Sequence, residues 1–252
     1  MKKLAFILLL AAMASSCVFY LGGKFVRGNG QAAERTIEVT DFNSIAVKGA
    51  LDVIFTQAPL SPVLIHSDEN LLDLYKIEVI GGTLIVSTEE HTNLFPRVKS
   101  YITVSSELLE SASVSGSGDL LLKSALSCPA DMELSVAGSG DIVADRIECG
   151  SLQAKVSGSG DIHTMGVVCD DFEVRVTGSG DIKSGPVTAR SVDASVSGSG
   201  DITLSLKDAG DVNARISGSG DITLRGNARS ISKKVSGSGD LHTAGLSLEG
   251  FR

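Results

Sequence analysis

The chain has 252 residues, 22 basic and 30 acidic, giving a formal charge of -8, with 28 glycines, no tryptophan and 4% aromatic residues. An acidic surface of this kind repels nucleic acid, and a glycine-rich chain so poor in large rings lacks the material of a conventional aromatic-packed enzyme core. A narrow core of aliphatic side chains suits the composition better.

Lys2 and Lys3 precede an apolar run from Leu4 to Met13, too short to span a bilayer as a mature helix, so residues 1–16 read as a signal peptide. Ala14, Ser15, Ser16 and Cys17 follow, and this ending resembles the lipobox of bacterial lipoproteins, in which the cysteine becomes the amino terminus and is acylated. Cys17 is therefore the expected lipidation site, and a membrane is the expected partner through that lipid. An ordinary secretory signal with an incidental cysteine is the alternative. Cleavage removes Lys2 and Lys3 and no acid, leaving 20 basic against 30 acidic residues and a charge of -10. Gly22, Gly23, Gly28 and Gly30 make residues 17–33 a flexible tether. Val18, Phe19, Tyr20 and Leu21 lack the acidic run that resembles a surface-export signal, so an outer-membrane lipoprotein facing either the surface or the periplasm is compatible with the sequence.

Residues 34–110 read as entry and capping strands. Val47, Lys48, Gly49, Ala50, Leu51, Asp52 and Val53 match a Val-Ser-Gly-Ser-Gly-Asp-Ile template with one glycine replaced, which predicts an atypical entry coil. Strand-like alternation recurs at Val63–Ile65, Tyr75–Val79, Leu84–Val86 and Tyr101–Val104, and Gly81-Gly82 marks a hairpin turn. Such strands would hide the first apolar face of a stacked body.

Residues 111–245 carry seven Gly-Ser-Gly-Asp motifs, whose aspartates are Asp119, Asp141, Asp161, Asp181, Asp201, Asp221 and Asp240. The spacing of about twenty residues is the mark of a repeat architecture. Apolar and polar residues alternate on both sides of each motif, as at Val192, Ala194 and Val196 and then Ile202, Leu204 and Leu206. This predicts two short strands per coil with a sharp corner between them. Aligned coils give one column of Val114, Val136, Val156, Val176, Val196, Ile216 and Val235, and another of Leu120, Ile142, Ile162, Ile182, Ile202, Ile222 and Leu241. Stacked in register about 4.8 Å apart, these side chains form the core. The glycines are expected to supply positive φ at the corner, and the aspartates to accept backbone N–H bonds there. A weak calcium ladder along the seven aspartates is the alternative, although one carboxylate per coil leaves most of the six to eight ligands to water.

Cys128, Cys149 and Cys169 follow their aspartates by nine, eight and eight residues, and Ala189 and Ala209 take that place in later coils. They are expected to be free, buried thiols and not a zinc site, since the alanines supply no further ligand. Lys233 occupies the inward slot held by Ala194 and Ala214, which a last coil tolerates because its outer side is open to water. Residues 246–252 read as a tail.

Strands from Ile37 through Leu84-Ile85-Val86 into tandem GSGD coils resemble the head GIN domain family of auto-transporter adhesins, over roughly residues 34–245. The resemblance implies a right-handed parallel β-helix or β-solenoid, all-β, with coils of about twenty residues and an N-terminal β capping region. It also implies a role in adhesion, and it implies no catalytic residues, cofactor or metal.

The expected function is a non-catalytic cell-envelope binding module whose elongated face meets a glycan, a matrix or another envelope protein. Outward columns of Glu133, Gln153, Glu173, Asp193 and Asn213, and of Ser135, Lys155, Arg175, Ser195, Arg215 and Lys234, run beside the core. They read first as cross-strand charge pairs on a solvated sheet and second as a recognition surface for a polar repeating ligand. A periplasmic structural or signalling scaffold is the alternative. A polysaccharide lyase or hydrolase fits less well, because seven equivalent aspartates make a line and not a catalytic cluster. His66, His91, His163 and His242 are scattered, and the last two share a column four coils apart.

Overall fold

A computed structural model describes residues 23–248. Residues 1–16, read as a signal peptide, and Cys17 therefore lie outside the described residues, as does the end of the tail. The strands in chain order are β1 (Lys24–Arg27), β2 (Ala32–Ile37), β3 (Ser44–Val47), β4 (Val53–Gln57), β5 (Val63–Asp68), β6 (Tyr75–Ile80), β7 (Thr83–Thr88), β8 (Thr92–Phe95), β9 (Tyr101–Ser106), β10 (Ser111–Val114) and β11 (Leu120–Lys123). The regular coils follow as β12 (Leu126–Val136), β13 (Ile142–Val156), β14 (Ile162–Val176), β15 (Ile182–Val196), β16 (Ile202–Ile216), β17 (Ile222–Val235) and β18 (Leu241–Leu248). The only helical element among the described residues is a single 3-10 segment, Glu69–Leu74, between β5 and β6.

The fold is a β-solenoid of about seven turns. Both aliphatic columns pair in parallel register from coil to coil, Val114 with Val136 through to Val235 and Leu120 with Ile142 through to Leu241. They continue upstream of the repeat, Val114 onto Val47 and then Val86, and Leu120 onto Val53 and then Ile102. The degenerate stretch from Val47 to Val53 is thus a true entry coil.

Each coil has three paired segments and not the expected two. In the β13–β14 pair, register holds over residues 142–144, 146–148 and 151–156 of β13. The middle segment adds a further inward column of Ile147, Val167 and Val187, all fully buried. Two arms cannot enclose a core, so the third wall is needed to shield the aliphatic columns from water.

The corner glycines also differ from expectation. None of the GSGD glycines has positive φ; among the described glycines that conformation belongs to Gly30, Gly49, Gly81, Gly82 and Gly226. Their role is close approach. A Cβ on Gly180 would lie 1.9 Å from the Gly160 carbonyl oxygen, and one on Gly160 2.0 Å from that of Gly140. The corners stack backbone on backbone, with Ser159 donating its N–H to Gly138 O at 2.9 Å and Ser179 to Gly158 O at 2.9 Å. Leu51 replaces the second glycine in the entry coil, where it borders a hollow with Tyr75 and Ile102 and is buried.

The cap adds antiparallel pairing to the parallel stack. Strands β6 and β7 form the hairpin expected at Gly81-Gly82, whose φ values of 57° and 77° suit a tight turn. Strand β5 pairs antiparallel with both β2 and β9. The stretch read as a tether is partly ordered: β1 pairs in parallel with β8, and Gly28 donates to Phe95 O at 3.0 Å. Asp68, buried at the end of β5, fixes this segment by accepting N–H bonds from Gly30 at 2.6 Å, Arg97 at 2.8 Å and Val98 at 3.2 Å. Burial pushes its carboxyl up and those three donors outweigh it, leaving it below the usual carboxylate value.

Candidate ligand-binding face

Just before each corner the chain forms one paired arm, at residues 131–135, 151–155, 171–175, 191–195 and 211–215. Alternation puts every second side chain of this arm into water. The two outward columns expected from the sequence are in register, Glu133 through Gln153, Glu173 and Asp193 to Asn213, and Ser135 through Lys155, Arg175 and Ser195 to Arg215. They pair with each other: Lys155 meets Glu133 at 3.3 Å, Arg175 meets Glu173, and Arg215 meets Asp193 at 2.8 Å. Amides bridge along the column as well, Gln153 donating to Glu173 and Asn213 to Asp193 at 3.1 Å.

A third outward column lies outside the sequence expectations. Asp131, Ser151, Asp171, Ser191, Asp211 and Ser230 alternate carboxylate and hydroxyl. Ser151 donates to Asp131 at 2.6 Å, Ser191 to Asp171 at 2.6 Å and Ser230 to Asp211 at 2.7 Å. The Ser191 hydroxyl, followed by the Arg190 guanidinium, holds Asp171 below the usual carboxylate range, and Arg229 with Ser230 does the same for Asp211. Its signal in the sequence is an Asp or Ser in the middle of each coil, which shows only once the coils are aligned. The Glu133 column and the Asp131 column wall a surface hollow of about 480 Å³ that runs from Glu110 across Asp131 and Gln153 to Glu173. Its polar lining is five carboxylates, the Ser111 and Ser151 hydroxyls and the one amide of Gln153, a set of closely spaced acceptors suited to hydroxyl-bearing ligands.

The seven motif aspartates form a separate ladder. The Oδ1 of each except Asp240, the last, accepts the backbone N–H of the aspartate in the next coil: Asp141 donates to Asp119 at 3.0 Å, Asp161 to Asp141 at 2.8 Å, Asp181 to Asp161 at 2.7 Å and Asp201 to Asp181 at 2.9 Å. Asp221 and Asp240 continue it at 2.7 Å each, and Asp52 of the entry coil starts it, accepting from Asp119 at 3.2 Å. The N–H bonds expected at the corner thus run between coils and not within one. Lys183 lies against Asp181 at 2.9 Å, and that contact raises its ammonium above the ordinary lysine value.

Of the histidines, His66 donates through Nδ1 to Lys99 O at 2.9 Å and stacks on Tyr101, while His91 sits in a turn with φ 55°. His163 and His242 share a column, as expected. His242 instead meets Asp221 at 3.2 Å, and one ligand atom from each of Asp221, Asp240 and His242 lies within 4.8 Å of the others. This trio, on the solvent side of the last coils, has no counterpart among the sequence expectations.

Cys128, Cys149 and Cys169 are all free thiols, and Cys169 pairs with Ala189 as the column predicts. Only Cys128 is buried; the other two are half-buried. Burial pushes Cys128 up, and the hydrogen bond between Cys149 and Cys169 holds Cys149 protonated and favours ionisation at Cys169. Lys233 takes the inward slot beside Ala214 but is exposed, donating to Thr243 at 2.7 Å.

Solved structures share this architecture. A protein described as a "putative adhesin" from Bacteroides fragilis NCTC 9343 superposes with a TM-score of 0.78 at 23% identity, covering 86% of this chain and 99% of its own. A similarly described protein from Parabacteroides merdae ATCC 43184 gives 0.71 at 23% identity, covering 87% and 99%. A "putative lipid binding protein" from Parabacteroides distasonis ATCC 8503 gives 0.68 at 26% identity over the same shares. Comparison with curated proteins finds no match. The family model described as "Putative auto-transporter adhesin, head GIN domain" matches residues 41–228 and 185–250, a span that takes in the entry coil, the hairpin cap and every GSGD corner, and the chain belongs to that family.

Proposed function

We propose that this protein is an exported lipoprotein, acylated at Cys17, that serves the cell envelope as a non-catalytic adhesin-type binding module. The observation that carries the reading is the paired arm bearing three stacked polar columns, with its hollow of about 480 Å³ between Glu110 and Glu173. Side chains repeating about every 4.8 Å can meet successive hydroxyls of a polymeric ligand, and a glycan of hydroxyl-rich, uncharged or basic units fits the acidic lining. The family's description as adhesins supports the same use. A lipid, the ligand class in the description of one relative, would have to lie outside this solenoid, since its interior columns are filled by side chains such as Ile162, Val174 and Ile182 that are buried to within 1%.

The test is binding of the whole mature protein to arrays of envelope and host polysaccharides, with Gln153→Ala and Asp171→Ala as variants. Both residues sit on the outward arm, so their loss should lower affinity about tenfold or more with the fold intact. An unchanged binding profile in both variants would exclude this face. Protease accessibility on intact cells distinguishes a surface adhesin from a periplasmic scaffold, and fatty-acid labelling of Cys17→Ser tests the anchor.

A further inference from the structure

The outer face of the small β1–β8 sheet differs from the rest of the surface. Val26 and Leu94 turn toward the core while Phe25, Arg27 and Phe95 turn outward. Phe25 is 55% and Phe95 53% exposed, and their rings lie 5.9 Å apart. With Arg27, Pro96 and Arg97 they line a shallow hollow of about 470 Å³. Lys24 and Lys99, also exposed, do not line it, and none of these four cations makes an ion pair among the described residues. Residues 23–33 and 91–101 contain no acid at all, in a mature chain that carries an excess of ten.

We infer that this patch rests on the surface of a phospholipid bilayer, with the two phenylalanines at the acyl boundary and Arg27 and Arg97 on the phosphates. Paired exposed rings ringed by unpaired cations are the combination that interfacial binding uses. The chain also dictates the location. Lys24 is seven residues beyond Cys17, so an acyl group there holds the patch within about 25 Å of the membrane. The intervening Val18, Phe19, Tyr20 and Leu21 continue the apolar character toward the bilayer. The acidic solenoid body is repelled by anionic lipid, whereas the patch, with Arg27 and Arg97 beside the exposed rings, is able to face it. The inference deepens the lipoprotein reading and rests on it: the anchor supplies attachment, and the patch sets orientation, standing the solenoid with its polar arm clear of the membrane.

The chain contains no tryptophan, so one can be introduced as a sole reporter. Full-length acylated protein bearing Phe95→Trp is reconstituted into phosphatidylethanolamine–phosphatidylglycerol vesicles containing lipids brominated along the acyl chain. Met165→Trp, at a 55% exposed position on the solenoid body, is the control. Emission at position 95 should shift to the blue and fall at least twofold on bromolipid, while that at position 165 stays unchanged. Adding Arg27→Glu and Arg97→Glu should abolish most of the quenching. Equal aqueous quenching at both positions, with no bromolipid effect, would overturn the inference. So would a blue shift that needs no lipid and follows protein concentration, which would mean that a second copy covers the patch. Fatty-acid labelling of the same samples separates the two failures: an unlabelled chain defeats the anchor, whereas a labelled chain with a water-exposed reporter defeats only the patch.

Discussion

The GSGD corner shows how a residue's role depends on what lies beneath it. Glycine is required at Gly180 because the Gly160 backbone occupies the space a Cβ would take, whereas a Cβ on Gly49, where φ is +94°, would meet no heavy atom within 4 Å. Gly180→Ala should therefore cost about 3 kcal/mol by forcing two coils apart, and Gly49→Ala only about 1 kcal/mol from its left-handed backbone. Chemical denaturation ranks the two, and the reverse order would restore positive φ as the reason for the motif. Asp68 is the second residue on which the structure turns. Asp68→Ala leaves the N–H groups of Gly30, Arg97 and Val98 without an acceptor and should cost about 3 kcal/mol. The pH dependence follows from the direction of its shift. A carboxyl lower in the folded than in the unfolded state stabilises above the unfolded value near 3.9, and that stability is lost as pH falls through the folded value. Acid melting of the wild type should thus set in below about pH 4, and Asp68→Asn should flatten that part of the curve. Asp171, Asp211 and Asp221 shift the same way but are solvent-exposed, so their part should fade with added salt.

At the level of the strand, stacking makes neighbours of residues one coil apart. Thr164 and Ser184 occupy successive positions of an otherwise aliphatic inward column, and their hydroxyls bond at 2.7 Å in the core. Thr164→Val alone strands the Ser184 hydroxyl and should cost about 1–2 kcal/mol, while Thr164→Val with Ser184→Ala should be nearly neutral. A double-mutant cycle by thermal melting checks it; additive losses would show that the pair is not coupled. The thiol column obeys the same logic with unequal exposure. Cys169 should be alkylated first, Cys149 more slowly and Cys128 only after unfolding, because burial and the Cys149–Cys169 hydrogen bond order them so. Peptide mapping after timed iodoacetamide treatment gives the order, and equal rates would contradict it.

For the molecule as a whole, a solenoid is stabilised by nearest-neighbour interfaces, so a coil is a removable unit. Deleting residues 182–201 joins Asp181 to Ile202 and lets Asp221 donate to Asp181 in place of Asp201, since both aspartates hold the same ladder position. The shortened chain should fold, with a body shorter by about 4.8 Å in solution scattering; collapse of the variant would mean that the coils are not equivalent. The two ends are not interchangeable in this way. The antiparallel cap closes one end with β2, β5 and β9, while at the other Val235 stays 48% exposed and Lys233 replaces an inward alanine. Water at the open end accepts that lysine where an interior coil would not.

Period and alternation were enough to read the solenoid. Twenty-residue spacing, two aliphatic columns, the degenerate entry coil at Val47–Val53, the Gly81-Gly82 hairpin and the paired outward columns are all local or strictly periodic, and in-register stacking converts sequence offset directly into spatial neighbourhood. Four features that escaped that reading depend on what one segment places against another. These are the third wall of each coil at Ile147 and Val167, the backbone contact that demands glycine, the docking of β1 on β8 over Asp68, and the convergence of Asp221, Asp240 and His242. An offset of twenty residues is visible along the chain. The distance from Phe25 to Phe95 is set by tertiary folding alone, because seventy residues of cap must close before those two rings can meet.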